Sequence, residues 1–565
     1  MVKSRYLFLN LLLLIPALLW AQNLRLVPYD GTAGSFLNAQ MVTDTTANGA
    51  ALRSGAIQRT YVLQRGGIYL ANATFANPGW TLRVKANDTT GVVSKPIIYL
   101  YPTGTGANPG NPPGNWLQIQ GDIVLKNLIV SGYFEPIDSN LNNLQGGLMD
   151  IAATTSGWNI TIDSCILSTT NGNHIRTDGA AKAIKVTNSI FCDLGFLGRS
   201  NLGAGKAFDI RDVSVDTLWV VNNTFVNWQD RIIRHYPLTG PTGPLKFLRF
   251  DHNTLANGMS YHGLLSLGGM GLRGIITNNL FIDPFSLGND TDAVRQVEYA
   301  PSGEKDPYGG NRMNWILDVP NDTTKWSISN NYYAISDSGQ AFYNQFASAG
   351  VTGEGAPLTW HLNSKIADST HAFNKVTLTL TKIPRLMTVL NRWYRDPNGG
   401  NKSKNTPTSK WNLSDDYDRH KVAYYRDTLN CTYSTSSAAY TGATGGFPAG
   451  DLNWFPTRKT AWLSDPASGV QTANAPIPEQ YTLNQNYPNP FNPSTLITYS
   501  VPKESNVKLE IFDLLGRKIA TLVSERKVAG NYSVEFNASA LGSGVYIYRL
   551  TTPGVVLAKK MILIK

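Results

Sequence analysis

Hydrophobic and polar positions alternate with a period of two through much of residues 127–335. In the run Ile184–Thr187, for example, Ile184 and Val186 are apolar and the residues between and after them are polar. A period of two is typical of a β-strand with one face buried. The predicted strands are short and turn-rich segments separate them, so the pattern predicts an all-β protein.

A short motif recurs along the same stretch. It consists of a β-rich run, then Asn or a small polar residue, then a bulky apolar residue two positions later. The copies are marked by Asn127, Ser164, Asn188, Asn223, Asn253, Asn279 and Asn331, at intervals of 24 to 52 residues. Uneven intervals fit coils that stack on one axis with loops of different length. Because one coil cannot bury its own apolar face, the repeat predicts a right-handed parallel β-helix.

The copies can also be aligned upstream of the marker residue. Asp150, His174 and Asp209 each lie 14 residues before it. This alignment stacks Arg176, Arg211 and Arg234 in one column on the outer face, where neighbouring strands are about 4.8 Å apart. Guanidinium groups at that spacing repel each other unless carboxylates lie between them. The nearby carboxylates are Asp150, Asp178, Asp209 and Asp212.

Two functions are open for this column. As a binding or catalytic site, its guanidinium groups would pair with the carboxylates of an acidic glycan. The candidate catalytic residues are Arg211, Arg176, His174 and His235, and the histidines are the easier general bases; the candidate substrate-binding residues are Arg234, Asp209, Asp212 and Asp178. In the alternative, the column is an Arg–Asp ladder that only builds the stack.

Two further sets of polar residues have predicted roles. Asp150, Asp209 and Asp212 form a candidate oxygen-rich calcium site, although the sequence has no EF-hand-like loop. The marker residues Asn188, Asn223, Asn253, Asn279 and Asn331 are expected to form a ladder of side-chain amides along the axis.

Composition narrows the class of protein. Of the 565 residues, 42% are hydrophobic and 16% charged, which argues against disorder. The formal net charge is +10, but without a Lys/Arg run or a nucleic-acid-binding motif we expect no nucleic-acid partner. The positive charge suits an acidic polysaccharide or an anionic cell surface, and it also suits solubility alone. The three cysteines are too few for a disulfide framework and are expected to be buried thiols.

Residues 1–21 have the pattern of a secretory signal peptide. Lys3 and Arg5 precede an apolar run from Leu7 to Trp20, and Ala21 offers a small residue for cleavage. The run is broken by Pro16, and no second apolar span of about 18 residues follows. We therefore expect a mature chain with no transmembrane segment that leaves the cytoplasm and is either soluble or attached to a surface.

The remaining chain divides into a long and a short domain. Residues 22–465 form the predicted β-helix, with long loop insertions at 284–325 and 336–440 whose aromatic residues pack onto the stack or contact sugar rings. Residues 466–480 are rich in Ala and Pro and form a predicted linker. Residues 481–565 contain short alternating strands with Gly-rich turns, which predicts a small Ig-like β-sandwich.

Both domains resemble known families. The run Tyr61–Tyr69, the Asn-rich coils and the run Gly445–Trp454 resemble secreted pectate-lyase-like β-helix proteins over about residues 50–460. This resemblance implies a pectin lyase fold, with acidic Ca²⁺ ligands and an Arg or Lys base on the outer face of the stack.

The short domain is similar to the C-terminal sorting domain of the type IX secretion system. The matching residues are Tyr487–Phe491, Ile511–Arg517, Leu541–Tyr546 and Lys559–Lys565. The resemblance implies that the type IX machinery carries the chain across the outer membrane, after which the domain is cleaved or attaches the protein to the cell surface.

The sequence thus leads to two hypotheses about function. In the first, the β-helix binds an acidic, uronate-containing polysaccharide and, if it is an enzyme, cleaves it as a lyase by β-elimination. In the second, the protein is a non-catalytic structural or adhesive protein of the cell surface.

Overall fold

The computed structural model describes residues 20–88, 94–102, 113–134, 146–195, 202–236, 244–317, 323–384, 387–403, 422–465, 481–486, 489–502, 505–527 and 530–564. The chain divides into two compact units, Met1–Pro456 and Thr457–Lys565. The predicted linker, 466–480, lies outside the described residues. So does the predicted signal peptide, except that Trp20 and Ala21 begin the first strand of unit 1.

Within the described residues, unit 1 contains three long parallel sheets, and each coil of chain contributes one strand to each of them in turn. Sheet 1 contains Trp20–Leu26, Ile57–Leu63, Leu82–Ala86, Ile123–Lys126, Trp158–Asp163, Ala181–Thr187, Val215–Val221, Leu245–Asp251, Met270–Thr277 and Lys325–Ser329. Sheet 2 contains Ile68–Ala71, Ile97–Leu100, Ile129–Ser131, Ile166–Thr170, Ile190–Leu194, Thr224–Trp228, Thr254–Gly258, Leu280–Ile282, Asn331–Ala334 and Phe373–Lys375. Sheet 3 contains Phe75–Ala76, Leu117–Ile119, Gly147–Ile151, Asn173–Thr177, Lys206–Arg211, Arg231–Tyr236, Leu265–Ser266, Asn314–Leu317 and Ala356–Leu358. The predicted parallel β-helix is confirmed.

Apolar columns run up the inside of the stack. In sheet 1, Ile160, Ile184, Leu218 and Leu248 are successive neighbours, and all four are fully buried. Each belongs to a strand in which inward apolar residues alternate with residues on the outer face, so the period of two in the sequence becomes one continuous core.

A ladder of asparagines holds the turn between sheets 1 and 2. The side-chain oxygens of Asn253, Asn279 and Asn331 each accept a hydrogen bond from the backbone N–H of the ladder residue one coil before, at 2.8–3.1 Å. The predicted ladder is therefore found for Asn223, Asn253, Asn279 and Asn331. Asn188 is not a member, because Ser189 occupies that position and donates its N–H to Asn223 at 2.9 Å.

Asn188 belongs to a second column, one residue earlier. Its backbone has a positive φ of 54°, as does Asn222 with 62°, and the Asn222 amide donates to the Asn188 side-chain oxygen at 2.7 Å. Asn tolerates this left-handed conformation better than most residues, which explains why paired polar residues mark each coil.

A helix, Leu37–Arg53, packs against the first coils. Leu37 and Met41 join the core, and Asp44 binds Arg59 at 2.9 Å and the hydroxyl of Tyr61 at 2.9 Å. The helix contacts the strands Ile57–Leu63 and Ile68–Ala71, so it covers part of the first open edge of the stack.

The predicted insertions contain strands and helices of their own. Three short strands, Asn314–Leu317, Ala356–Leu358 and Phe373–Lys375, extend sheets 3 and 2. The helices are Ala293–Gln296, Asp337–Phe346, Trp360–Lys365, Thr388–Arg395 and Val422–Asp427, and Pro456–Ser464 follows them.

The segment 422–454 covers the outer face of sheet 2, and we refer to it as the covering segment. Asp451 accepts a hydrogen bond from the Thr224 hydroxyl at 2.7 Å, and its backbone N–H donates to Thr254 at 2.8 Å. The backbone N–H of Leu452 donates to Asn222 at 2.6 Å, and Tyr425 donates to Asp193 at 2.7 Å. The covering segment thus binds strands of sheet 2 and the turn that leads into that sheet.

Unit 2 is a small antiparallel β-sandwich, as predicted. One sheet contains Thr482–Leu483, Ser494–Val501 and Gly530–Asn537. The other contains Ser505–Phe512, Lys518–Lys527, Gly544–Thr552 and Val555–Leu563. Alternate residues Val507, Leu509 and Ile511 are buried in its core with Phe491 and Tyr548.

Candidate functional site

The charged residues of sheet 3 alternate in sign along the stack. In adjacent strands, Asp150 lies beside Arg176, Arg176 beside Asp209, and Asp209 beside Arg234. The predicted column of Arg176, Arg211 and Arg234 is therefore wrong. Neighbours of opposite charge attract at the strand spacing, whereas three stacked guanidinium groups would repel.

The error is a shift of two residues in register. Ile175 lies beside Phe208, and Thr177 lies beside Ile210. A shift of two keeps each side chain on its own face of the sheet but changes its neighbour along the axis. The cause lies partly in the connections to sheet 1, because coils of this stack join the two sheets with segments that differ in length.

Arg176 and Arg211 form the exposed rim of this charged surface, with side chains 36% and 26% exposed. Each uses its Nε to bind a carboxylate of its own strand or turn: Arg176 donates to Asp178 at 2.9 Å, and Arg211 donates to Asp209 at 2.8 Å. Within the described ranges, the terminal nitrogens of both groups have no further hydrogen-bond partner. The outer edges of two guanidinium groups are therefore available to a ligand.

Asp209 anchors the inner side of the rim. It is fully buried and accepts hydrogen bonds from Arg211, from Arg234 at 3.1 Å and from the Asn173 amide at 2.9 Å. Burial alone would raise the pKa of its carboxyl group, but the charges of Lys206, Arg234 and Arg211 lower it overall. Asp209 thus remains ionised and fixes the two arginines in place.

A second charged cluster lies deeper, around Asp230. This carboxylate binds Lys206 at 2.9 Å, Arg231 at 3.1 Å and the Nδ1 of His262 at 2.6 Å. The Nε2 of His262 lies 3.4 Å from Glu298, which comes from the first predicted insertion. Lys206, Asp230, Arg231 and His262 are not among the site residues predicted from the sequence. Lys206 and Arg231 are neighbours in sheet 3, and each stands three residues before a predicted site residue, Asp209 or Arg234, which is the signal that was overlooked.

Burial determines the protonation of this cluster. It lowers the pKa of His262 to about 4 despite the opposing effect of Asp230, so the imidazole is neutral at pH 7. Burial also lowers the pKa of Lys206, and Asp230 and Asp209 offset part of that effect. Among the described residues of the site, Lys206 is thus the amine whose loss of a proton is made easier.

The two predicted histidines lie inside the stack. His174 is fully buried and stacks on Phe191 with ring centroids 5.7 Å apart, and burial lowers its pKa to about 3. His235 is also fully buried, with its Nδ1 2.8 Å from the carbonyl oxygen of Leu267. Neither ring is accessible from the outer face, so neither residue fits the general base that we expected there.

The predicted calcium ligands do not converge. Asp150 and Asp209 lie on either side of Arg176 in the column, two strand spacings apart. Burial and the neighbouring Asp178 raise the pKa of Asp150 to about 6. Asp212 follows the strand Lys206–Arg211 with a positive φ of 44°. Across the described ranges, no group of three or more acidic, His or Cys side chains is placed to hold a metal ion.

Comparison with known proteins identifies the second unit. Residues 485–565 match the family of the secretion system C-terminal sorting domain. The chain carries a C-terminal sorting domain. Its sandwich presents Leu514 and Leu515, 67% and 79% exposed, on a turn closed by the hydrogen bond from Asp513 to Arg517. The sorting domain implies export through the type IX machinery and a secreted or cell-surface location.

The β-helix unit has no such assignment from comparison. Neither the curated proteins nor the solved structures contain a match to this chain. In the residues that the structure describes, no helix has the length and apolar character needed to cross a membrane.

Proposed function

We propose that the exported β-helix binds an acidic polysaccharide at the rim formed by Arg176 and Arg211. The observation that carries this proposal is the pair of partly exposed guanidinium groups whose terminal nitrogens have no partner in the described ranges. A guanidinium group presents two parallel N–H donors that match the two oxygens of a carboxylate.

The setting of the rim supports the same partner. Arg176 and Arg211 are held by Asp178 and Asp209 through Nε alone, so ligand binding costs little side-chain entropy. The formal net charge of +10 favours the approach of a polyanion. Export places the protein outside the cell, where such polysaccharides occur.

For cleavage by β-elimination, we propose Lys206 rather than the histidines as proton acceptor. Its Nζ belongs to the charged cluster of sheet 3, 2.9 Å from Asp230, and burial lowers its pKa, whereas the His174 ring stacks on Phe191 and both histidines lie in the core. Arg211 and Arg176 would then hold the uronate carboxylate and stabilise the negative charge that develops next to it.

The test compares the wild type with an Arg176→Ala/Arg211→Ala variant. Isothermal titration with polygalacturonate and alginate should show binding to one of them that the variant loses. Arg83→Ala, a half-buried arginine of sheet 1, is the matched control and should bind normally. Equal binding by the wild type and the rim variant would refute the proposal.

The same mixtures test cleavage. Ultraviolet absorbance of unsaturated sugar ends, followed with and without Ca²⁺, should rise with the wild type and not with Lys206→Ala if the protein is a lyase. Binding without a rise in absorbance assigns the rim to recognition alone.

One observation favours the second hypothesis, a non-catalytic surface protein. In the deep cluster, Asp230 is fully buried and its carboxylate binds Lys206, Arg231 and His262, so these charges contribute to the stack itself. Under this hypothesis the rim variant binds every glycan as the wild type does and differs from it only in thermal stability.

A further inference from the structure

The outer face of sheet 1 carries a second group of aromatic and basic side chains. In neighbouring strands, Lys185 lies beside Trp219, and Trp219 lies beside Arg249. In the adjacent column, Phe247 pairs with Arg273 and Arg273 with Lys325. These residues alternate with inward core residues, so all six stand on the outward face of the sheet.

The aromatic rings on this face are held in a fixed arrangement. The rings of Trp219 and Phe247 have centroids 6.2 Å apart and planes inclined by only 18°. The guanidinium group of Arg249 lies 4.7 Å from the Trp219 ring and is bound to Asp251 at 2.5 Å. Both rings are half-buried, so part of each is accessible to a ligand, and both lie on strands rather than on a loop.

Three cations on this face lack a carboxylate partner. Lys185, Arg273 and Lys325 form no ion pair with any residue that the structure describes. By contrast, Asp251 neutralises Arg249, and Asp216 binds Lys246 at 2.5 Å. From the strand of Lys185 to that of Lys325 is four strand spacings, or about 19 Å. Unpaired positive charge therefore runs along the stack on both sides of the two rings.

We propose that this face binds an extended polyanionic glycan, carboxylated or sulfated, that lies along the axis of the stack. Its sugar rings pack their C–H faces on Trp219 and Phe247, and its acidic groups pair with Lys185, Arg273 and Lys325. The proposal rests on sheet 1 alone, so it holds whether or not the rim of sheet 3 binds a ligand.

The chemistry of the face selects this partner over the others. A neutral glycan would use the rings but would leave three cations unpaired. A protein partner would require a larger apolar surface than two half-buried rings provide. Single-stranded nucleic acid also combines stacking with phosphate contacts, and it is included in the test because the same groups would bind it.

The experiment is affinity electrophoresis of the full chain in native gels that contain polygalacturonate, chondroitin sulfate, dextran sulfate or neutral dextran. We expect the acidic polymers, but not dextran, to retard the wild type. The variant Lys185→Glu/Arg273→Glu/Lys325→Glu should bind roughly tenfold more weakly, because attraction is replaced by repulsion. Trp219→Ala should also weaken binding, and Trp219→Phe should retain it, since the ring is kept.

The control variant is Arg83→Glu. Arg83 lies in the same outward column as Lys185, three strands earlier, and we expect this variant to bind as the wild type does. Circular dichroism verifies that each variant is folded, and the charge variants alone decide the outcome if Trp219→Ala is not. Equal retardation of the wild type and the triple variant would overturn the proposal, as would tighter binding of oligothymidylate than of every acidic glycan. The carboxylated and sulfated gels then distinguish the two sources of negative charge.

The rim variant Arg176→Ala/Arg211→Ala separates this proposal from the preceding one. If sheet 1 binds, the rim variant retains the binding that the triple variant loses. If only the rim binds, the triple variant behaves as the wild type and the inference for sheet 1 fails alone.

Discussion

Replacing Asp209 with Asn should destabilise the β-helix unit by about 3–5 kcal/mol. Asp209 is fully buried and accepts hydrogen bonds from Asn173, Arg211 and Arg234. Asn preserves the shape of the side chain but removes the negative charge that the buried Arg234 binds at 3.1 Å. Most of the loss arises there, because the partly exposed Arg211 contributes about 1 kcal/mol or less.

Thermal unfolding followed by circular dichroism measures the effect. For a unit of this size, the expected loss lowers Tm by roughly 3–6 °C. The matched control is Asp178→Asn on the same rim. It removes a partly exposed carboxylate that binds Arg176 at 2.9 Å, and it should cost about 1 kcal/mol or less.

A double variant tests the cause. In Asp209→Asn/Arg234→Met the guanidinium charge is removed together with the carboxylate that it binds, so much of the stability should return. The reasoning is refuted if Asp209→Asn and Asp178→Asn lower Tm equally, or if the double variant is less stable than Asp209→Asn alone.

Two further predictions concern His174 and the sorting domain. The pKa of His174 in the folded chain is lowered from 6.5 to about 3. Below pH 6.5 the unfolded chain therefore binds a proton that the folded chain does not. The free energy of unfolding then falls by about 1.4 kcal/mol per pH unit. His174→Phe should therefore gain about 2 kcal/mol more over the wild type at pH 5 than at pH 8 in urea unfolding; an equal difference at both pH values contradicts this. Leu514→Ser/Leu515→Ser should leave Tm unchanged but reduce the exported fraction, since large exposed apolar side chains mark an interaction site. Val556→Ser, which removes a side chain 62% exposed elsewhere on the domain, is the control, and export equal to that control would exclude a role for the turn.

The sequence was sufficient for the repeat and its ladder. A coil repeats the same local environment, so the polar residue at the turn and the apolar residue two positions later recur wherever the chain passes from sheet 1 to sheet 2. Asn223, Asn253, Asn279 and Asn331 therefore stand where the pattern predicts them. Asn188 was misplaced by one residue because two adjacent polar positions, the left-handed one and the ladder one, look alike in sequence.

The charged column could not be aligned in the same way. Its register depends on the connections between sheets 3 and 1, and one or two residues there change which charges are neighbours without changing the alternation of the strand. The register of these two strands is known from the structure, in which Arg176 lies beside Asp209. The deep cluster was harder still, because His262 and Glu298 reach Asp230 and Arg231 from other coils, and no local pattern marks such contacts.

The hydrogen bonds of the covering segment set an order on folding. Asp451 meets Thr224 across 227 residues of chain and meets Thr254 across 197. Contacts between such distant positions form late, because a long loop must close first. Coils can stack as soon as their neighbours have formed. The hydroxyl and amide groups on the outer face of sheet 2, in contrast, stay hydrogen-bonded to water until the chain as far as Asp451 is present. In a chain that stops short of Asp451 the outer face of sheet 2 would be open to water, and its amide hydrogens would exchange with solvent faster than they do in the full chain.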